Sequence, residues 1–359
     1  MTSNHRIYVI AEAGVNHNGD PTTARSLVEA AATSGADAIK FQSFHSELLT
    51  TVDSPLADYQ KARMLSSMSQ FEMLKGLELS HELQRELHAL AQLRGIEFLS
   101  TPFDEVSLRF LTTELGISTI KIPSGEITNA PFVLEVARAA DRVILSTGGS
   151  SLDEVRDAIS VISFGFNNAN TNPSSRKLRK SLTRNQRREI RNRVTILHAV
   201  TAYPAPISET NLLALPALAE EFGCVVGLSD HTTGFEASIM AVGLGARVIE
   251  KHFTLDRSLP GPDHAASLTS EELSKFVESL RSASTALGDG VKRAQPSELS
   301  NRVAARRALV AIRPIEKGEV FTVANLGTRR PANGRPPLDY WQILGTNSPR
   351  KYEPNEPID

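Results

Sequence analysis

The sequence predicts an α/β fold: a (β/α)8 TIM barrel followed by a small C-terminal β-rich segment. Three observations carry this expectation. Short β-branched runs alternate with helical stretches eight times in about 280 residues, the pattern of parallel strands joined by crossover helices. Polar and charged residues gather just past the C-terminal end of these runs, where a barrel places its chemistry. After Leu287-Gly288-Asp289-Gly290 the texture changes to short β pieces and turns. An open doubly wound sheet is the alternative use of the same units.

The first strand is 7–14 (IYVIAEAG), which carries Glu12. Asn16-His17-Asn18-Gly19-Asp20 is a turn, and Pro21 opens a helix that stops at Gly35. The second strand, 38–44, is followed by a long loop, Ser46–Ser69, and a single helix over 70–94. A βα connection of that length has the dimensions of a lid. Strand three is 97–103, with a helix from Asp104 to Leu115. Strand four is 119–123, running into Ser124-Gly125-Glu126, with a helix over 132–139. Strand five, 142–147, ends in Gly148-Gly149 before a helix over 153–162.

Residues 165–193 then interrupt the pattern with Asn, Ser, Lys and Arg. With nine Lys/Arg between Arg176 and Arg193 and no interleaved aromatics, they read as a solvated, partly disordered loop on the bottom face. Strand six is 194–200, with a helix over 211–222. Strand seven is 224–228, with a helix over 235–244, and strand eight is 248–255. A helix over 270–287 closes the series. The domain limits that follow are a barrel over 1–287, a linker over 288–300 and a small domain over 301–359 with little core of its own.

The strand ends supply the chemistry. Ser229-Asp230-His231 and Glu250-Lys251-His252 close neighbouring parallel strands, so His231 and His252 can face one divalent metal. Asp263, beyond Gly261-Pro262, can face the same spot. Lys40 and Gln42 are two apart and share a strand face. Lysines in IKF and IKIP are costly to bury without an anion, so Lys40 and Lys121 point to an anion pocket. Thr101, Ser124, Ser146 and Ser229 ring it with hydroxyls. A small, multiply charged ligand such as a phosphorylated carboxylic acid suits this set.

Bulk properties agree. With 39 Lys+Arg against 41 Asp+Glu, the chain has no basic field for nucleic acid. The lone cysteine, Cys224, forms no intrachain disulfide and reads as inert core. No apolar run approaches 18 residues, so no membrane span is expected, and the N-terminus lacks a signal-peptide layout. These features fit a cytoplasmic enzyme or binding protein.

The motifs IAEAGVNHNG, AIKFQ, STPFD, IKIPSGE, ILSTGG, GLSDHT, IEKHFTLD, GPDHAAS and RRALVA with RRPANG occur in order from about residue 7 to 345. In them the chain resembles the sialic acid synthase family, which includes the N-acetylneuraminate, legionaminate and related nonulosonate synthases. The resemblance implies a TIM barrel with an antifreeze-like SAF domain, a homodimer with swapped C-terminal domains, and condensation of phosphoenolpyruvate with an N-acylated mannosamine-type sugar. It implies a divalent metal on His231 and His252, Mn²⁺ first, with Mg²⁺ or Co²⁺ as alternatives. It assigns Lys40, Thr101, Lys121, Ser124, Ser146 and Ser229 to phosphoenolpyruvate, with Thr201 where some members have Asn. Gln42, Glu126, Tyr203, Asp263 and Arg330 fall to the sugar, Arg330 from the neighbouring subunit. Glu12 falls near the metal and the attacked carbon.

The basic insert is longer than the family's pattern. The tail after Gly345 has Pro354-Asn355 where a Lys-Gly turn is usual, which puts the small domain's stability in doubt. The acceptor is N-acetylmannosamine or, alternatively, 2,4-diacetamido-2,4,6-trideoxymannose. A Schiff-base aldolase using Lys121 and a catalytically dead sugar-binding barrel are the rival readings.

Overall fold

The structure, a computed structural model, describes residues 6–56, 69–174, 178 and 182–359. It divides into two compact units, Met1–Asp289 and Gly290–Asp359. Among the described residues no helix is long and apolar enough to cross a membrane.

Unit one is a nearly closed parallel barrel. Its strands are β1 (Tyr8–Gly14), β2 (Ala38–Ser43), β3 (Glu97–Pro102), β4 (Thr119–Ile122), β5 (Arg142–Ser146), β6 (Val194–Ala199), β7 (Val225–Asp230) and β8 (Val248–Thr254). The hydrogen-bonded order is β3-β2-β1-β8-β7-β6-β5-β4, and every ladder is parallel. β3 and β4 lie side by side and complete the ring. A two-residue strand, β9 (Leu268–Thr269), adds to the end of β8.

Several helices start and stop for local reasons. Asp20 caps Pro21–Thr33 by accepting from the Thr23 amide. The single helix expected over 70–94 is two helices, Gln70–Lys75 and His81–Arg94. The first ends at Gly76, and Ser80 caps a fresh start by accepting from the Leu83 amide. The helix after Asp104 is α-helical only over Glu105–Arg109 and widens to a π turn over Phe110–Glu114. Asn211 is left-handed at φ 42°, so the next helix waits until Ala214.

The basic insert departs further from expectation. The helix Leu152–Asn167 runs into it, and Arg184–Arg193 forms another, with a Thr183/Gln186 capping box. Ile190 is buried in the main core, and the Arg193 guanidinium stacks 3.5 Å over Phe166. Its C-terminal part, Arg184–Arg193, is thus an amphipathic helix packed on the barrel. Residues 175–177 and 179–181 lie outside the described residues, as does 57–68 of the expected lid loop.

Alternation along the strands sets up the site. Ile10, Ala38, Leu99, Ile144, Leu197 and Val248 form one apolar layer, separate from the larger core shared with the helices. Glu12, Lys40, Thr101, Ser146 and Glu250 follow five of these by two residues, so they face the same interior one layer higher. Gly227 completes the lower layer. A Cβ there would stand 2.6 Å from Leu197 and 2.2 Å from the Val248 carbonyl oxygen.

Unit two has a core of its own, contrary to expectation. β10 (Ala308–Ala311) pairs antiparallel with β11 (Leu326–Arg329), over a cluster that includes Leu309, Ile315, Phe321, Tyr352 and Ile358. The atypical tail belongs to that core: Tyr352 is fully buried and bridges Ile315, and Pro357 bridges Val310. The Pro354-Asn355 departure leaves it intact because Asn355 itself adopts the left-handed turn, at φ 69°.

Gly227→Ala should therefore overpack the layer beneath the site and cost roughly 1–3 kcal/mol, read from the urea midpoint. Gly243→Ala, where nothing lies within 4 Å of the added carbon, is the control and should be neutral or slightly stabilising. Equal effects at both positions would contradict the layer assignment.

Candidate active site

A cavity of about 390 Å³ opens at the C-terminal mouth of the barrel. Glu12, Lys40, Gln42, Thr101, Lys121, Ser124, Glu126, Ser146, Thr201, Tyr203, Ser229, His231, His252 and Asp263 all line it. These are all the site residues expected in the barrel. Arg330 belongs to the other unit, where it is exposed just beyond β11.

The floor is a buried quartet of charges. Lys40 Nζ lies 2.5 Å from Glu12 Oε2 and 3.6 Å from Glu250 Oε2. Lys121 pairs closely with Glu250 Oε1, to which Ser229 also donates at 2.7 Å. Lys40 further donates to Thr101 Oγ1 at 3.0 Å. All four charged side chains are less than a tenth exposed. Glu250 is the functional residue that sequence reasoning missed. The signal was present, because Glu250 and His252 are two apart and must share a strand face.

The two carboxylates are pushed apart. Burial raises the Glu12 carboxyl to about 7, because Lys40 offsets desolvation only in part and Glu250 opposes ionisation. Burial also presses Glu250 upward, but Lys121 and Lys40 together outweigh it and hold Glu250 well below the usual carboxylate range. The lysines divide likewise. Burial presses Lys40 downward, yet Glu12 and Glu250 leave it raised; Lys121, closer to net desolvation, is lowered. Protons in such a quartet are shared, and Glu12 is the acid that holds one near neutral pH.

Around the quartet stand hydroxyls and a backbone donor. Ser124 Oγ accepts from the Gly148 amide at 2.9 Å, which leaves its own O–H to donate. Gly148 is glycine because a Cβ would meet Thr201 at 2.7 Å and Ser124 at 2.9 Å. The strand ends of β4, β5 and β6 thereby converge on one anion-sized space.

The histidines come from adjacent strand ends, with ring centroids 5.5 Å apart. His231 Nδ1 donates to the Val200 carbonyl at 2.6 Å, so Nε2 keeps its lone pair, 3.3 Å from Ser229 Oγ. Burial lowers His231 to about 4 and His252 well below its ordinary value, so both rings are neutral. His252 Nδ1 is buried without a hydrogen bond, 3.7 Å from Asp263 Oδ2. Two neutral imidazoles, one with an assigned free nitrogen and one with a buried unsatisfied one, fit a divalent cation. Among the described residues no third His, Cys, Asp or Glu completes a ligand set.

The residues expected at the sugar surround this pair. Tyr203 packs 4.2 Å from the His231 ring and meets the His252 ring edge-on. Gly14, at φ +54°, lets Glu12, His252 and Gln42 meet; a Cβ there would lie 3.3 Å from the first two and 3.5 Å from the third. Glu126 accepts from Asn129 at 2.7 Å on the short turn after β4.

Comparisons with known proteins agree with this geometry. Residues 27–292 match the family model described as the NeuB family, and residues 306–359 match the SAF domain. The chain is 43% identical over 350 residues to the N,N'-diacetyllegionaminic acid synthase of Campylobacter jejuni, covering 98% of each. It is 43% identical to the enzyme of the same name from Legionella pneumophila, covering 94% of this chain and 89% of that one. A crystal structure of N-acetylneuraminic acid (sialic acid) synthetase from Leptospira borgpetersenii, in complex with citrate, superposes with a TM-score of 0.66 at 30% identity, over 82% of this chain and 90% of that one.

The raised Glu12 carboxyl has a stability consequence of definite sign. A carboxyl whose folded value exceeds its unfolded one stabilises the fold below the unfolded value, 4.5, and loses that contribution as pH rises through about 7. Relative to wild type, Glu12→Gln should therefore gain stability between pH 4 and pH 8, by up to about 3 kcal/mol. Urea denaturation at both pH values measures this. An equal difference at both would contradict the assignment.

Proposed function

The chain belongs to the NeuB family, and on that premise we propose that it is a nonulosonate synthase, condensing phosphoenolpyruvate with an N-acylated mannosamine-type sugar and releasing phosphate. The observation that carries this reading is the pairing, in one cavity, of a two-lysine anion floor with two neutral histidines. Lys40, Lys121, Thr101, Ser124, Ser146 and Ser229 suit the phosphate and carboxylate of phosphoenolpyruvate, with Ser124 held by the Gly148 amide. Thr201 stands at the same rim.

His231 and His252 are the residues that would hold a divalent ion, and two imidazoles favour Mn²⁺ or Co²⁺ over Mg²⁺. When bound, the ion supplies Lewis-acid polarisation of the sugar's aldehyde oxygen. Gln42, Glu126, Tyr203 and Asp263 orient the open-chain sugar so that its C1 meets C3 of phosphoenolpyruvate. Positive charge then develops at C2 and is met by water. Glu12, titrating near neutral pH, is placed to take the proton of that water. Cleavage of the C2–O bond sends phosphate away with the bridging oxygen, and the lysines offset the anionic charge throughout.

Two features support the reading over its rivals. A Schiff-base aldolase needs a free amine, whereas Lys121 is engaged by Glu250. A binding module has no use for two carboxylates held at different protonation. The second unit exposes Leu338 at 78% and Trp341 at 74%, which suits burial against a second copy in a homodimer with exchanged C-terminal units.

Phosphate release should require phosphoenolpyruvate, sugar and Mn²⁺ together. EDTA should abolish it, Mn²⁺ or Co²⁺ should restore it, and borohydride should trap nothing. Release without sugar, or covalent trapping on Lys121, would overturn the reading. Mixing inactive Glu12→Gln with inactive Arg330→Ala protein should restore activity if Arg330 serves the other copy's site.

A further inference from the structure

Asp263 reaches the cavity from a loop, not from a strand. The chain leaves β8 after Thr254 and comes back at Leu268, which pairs beside Phe253. Between these points it turns through Gly261, at φ +149°, and through a short 3-10 turn at His264–Ala266. Asp263 stands just before that turn, buried, with Oδ2 3.7 Å from His252 Nδ1.

The restraint on this loop comes from the turn after β1. Asn16 is 1% exposed, and its Nδ2 donates to the Phe253 carbonyl at 2.8 Å and to Ser267 Oγ at 2.9 Å. A carbonyl only accepts, so the nitrogen faces Phe253 and both amide hydrogens are committed. Ser267 accepts from Asn16 and donates its own hydrogen to the Asp263 carbonyl at 2.7 Å. One side chain thus ties the residue after His252 to the backbone of Asp263. A second strap joins the same two loops, from His264 Nε2 to Asn18 Oδ1 at 3.1 Å.

Neither Asn16 nor Ser267 lines the cavity. Asn16 Oδ1 is buried with no hydrogen-bond partner among the described residues. A dry amide with its acceptor unmet is a poor stabiliser. What it supplies is geometry, because its two donors are satisfied together only when Phe253 and Ser267 stand in this relation.

We propose that Asn16 is a positioning residue for the condensation. Acting through Ser267, it holds Asp263 against His252 at the acceptor end of the site and leaves the phosphoenolpyruvate end untouched. The inference rests on the synthase reading and deepens it.

The test uses Ser267→Ala, which breaks the relay and leaves Asn16 on Phe253. The acceptor is the more active of N-acetylmannosamine and 2,4-diacetamido-2,4,6-trideoxymannose, with phosphoenolpyruvate and Mn²⁺. Misplacing a substrate contact lowers turnover steeply, so kcat/KM for the acceptor should fall about 10–100-fold. Phosphoenolpyruvate affinity, measured by calorimetry without sugar, should change by less than about twofold, with melting temperatures confirming the fold. In an Asp263→Ala background the same substitution should cost less than about threefold, because the side chain it places is gone. Asn16→Ala should reproduce the acceptor defect. Unchanged acceptor kinetics in Ser267→Ala, an equal loss of phosphoenolpyruvate affinity, or a full further loss in the Asp263→Ala background overturns the positioning role while the synthase reading stands. Wild-type protein that releases phosphate with neither sugar takes both down.

Discussion

The site depends on one constraint: two lysines cannot be buried at the mouth of a barrel without counter-charge. Glu12 and Glu250 supply it from β1 and β8, opposite Lys40 on β2 and Lys121 on β4. Breaking such a buried set by removing one member costs several kcal/mol, because the charge left behind has no water. The arrangement is still not a closed salt bridge. Glu12 is held near its titration point while Glu250 stays ionised.

That electrostatic floor rests on packing. The apolar layer of Ile10, Ala38, Leu99, Ile144, Leu197 and Val248 lies two residues earlier along the strands, and Gly227 fills the place where no side chain fits. The backbone step that points these side chains inward also points Glu12, Lys40, Thr101, Ser146 and Glu250 inward. Because the layer below is closed to water, the charges above depend on one another for compensation.

This alternation explains what was legible in the sequence. Strand ends are short and regular, so Lys40, Lys121, His231 and His252 could be placed without coordinates. Glu250 was equally determined by its spacing from His252, but it sits in a triplet whose other members drew the chemistry. Features that depend on chain geometry rather than period stayed hidden. The fresh helix start at Ser80 depends on a cap, and the helical turn of the basic insert on the burial of Ile190. The small domain's core depends on Tyr352, contributed by a tail whose turn residue is Asn355 rather than the usual glycine. The apolar side of the cavity also escaped notice, because Leu49 and Leu74 reach it from segments well apart in the sequence.

The triplets Ser229-Asp230-His231 and Glu250-Lys251-His252 show how much one register can do. Their outer members face the cavity. Their middle members face the helices and are paired across the strands, Asp230 opposite Lys251. Lys251 Nζ lies 3.0 Å from Asp230 Oδ2 and donates to the Thr232 carbonyl at 2.5 Å. Asp230 in turn accepts from the Thr232 amide, the Thr232 hydroxyl and Ser238. His231 is thus gripped on both sides from behind, while its own Nδ1 is held by Val200 in front. A buried pair of this kind adds little net stability, since desolvation cancels most of its attraction. Its effect is positional: these bonds tie down the backbone on either side of His231, whose Nδ1 bond to Val200 leaves Nε2 toward the cavity.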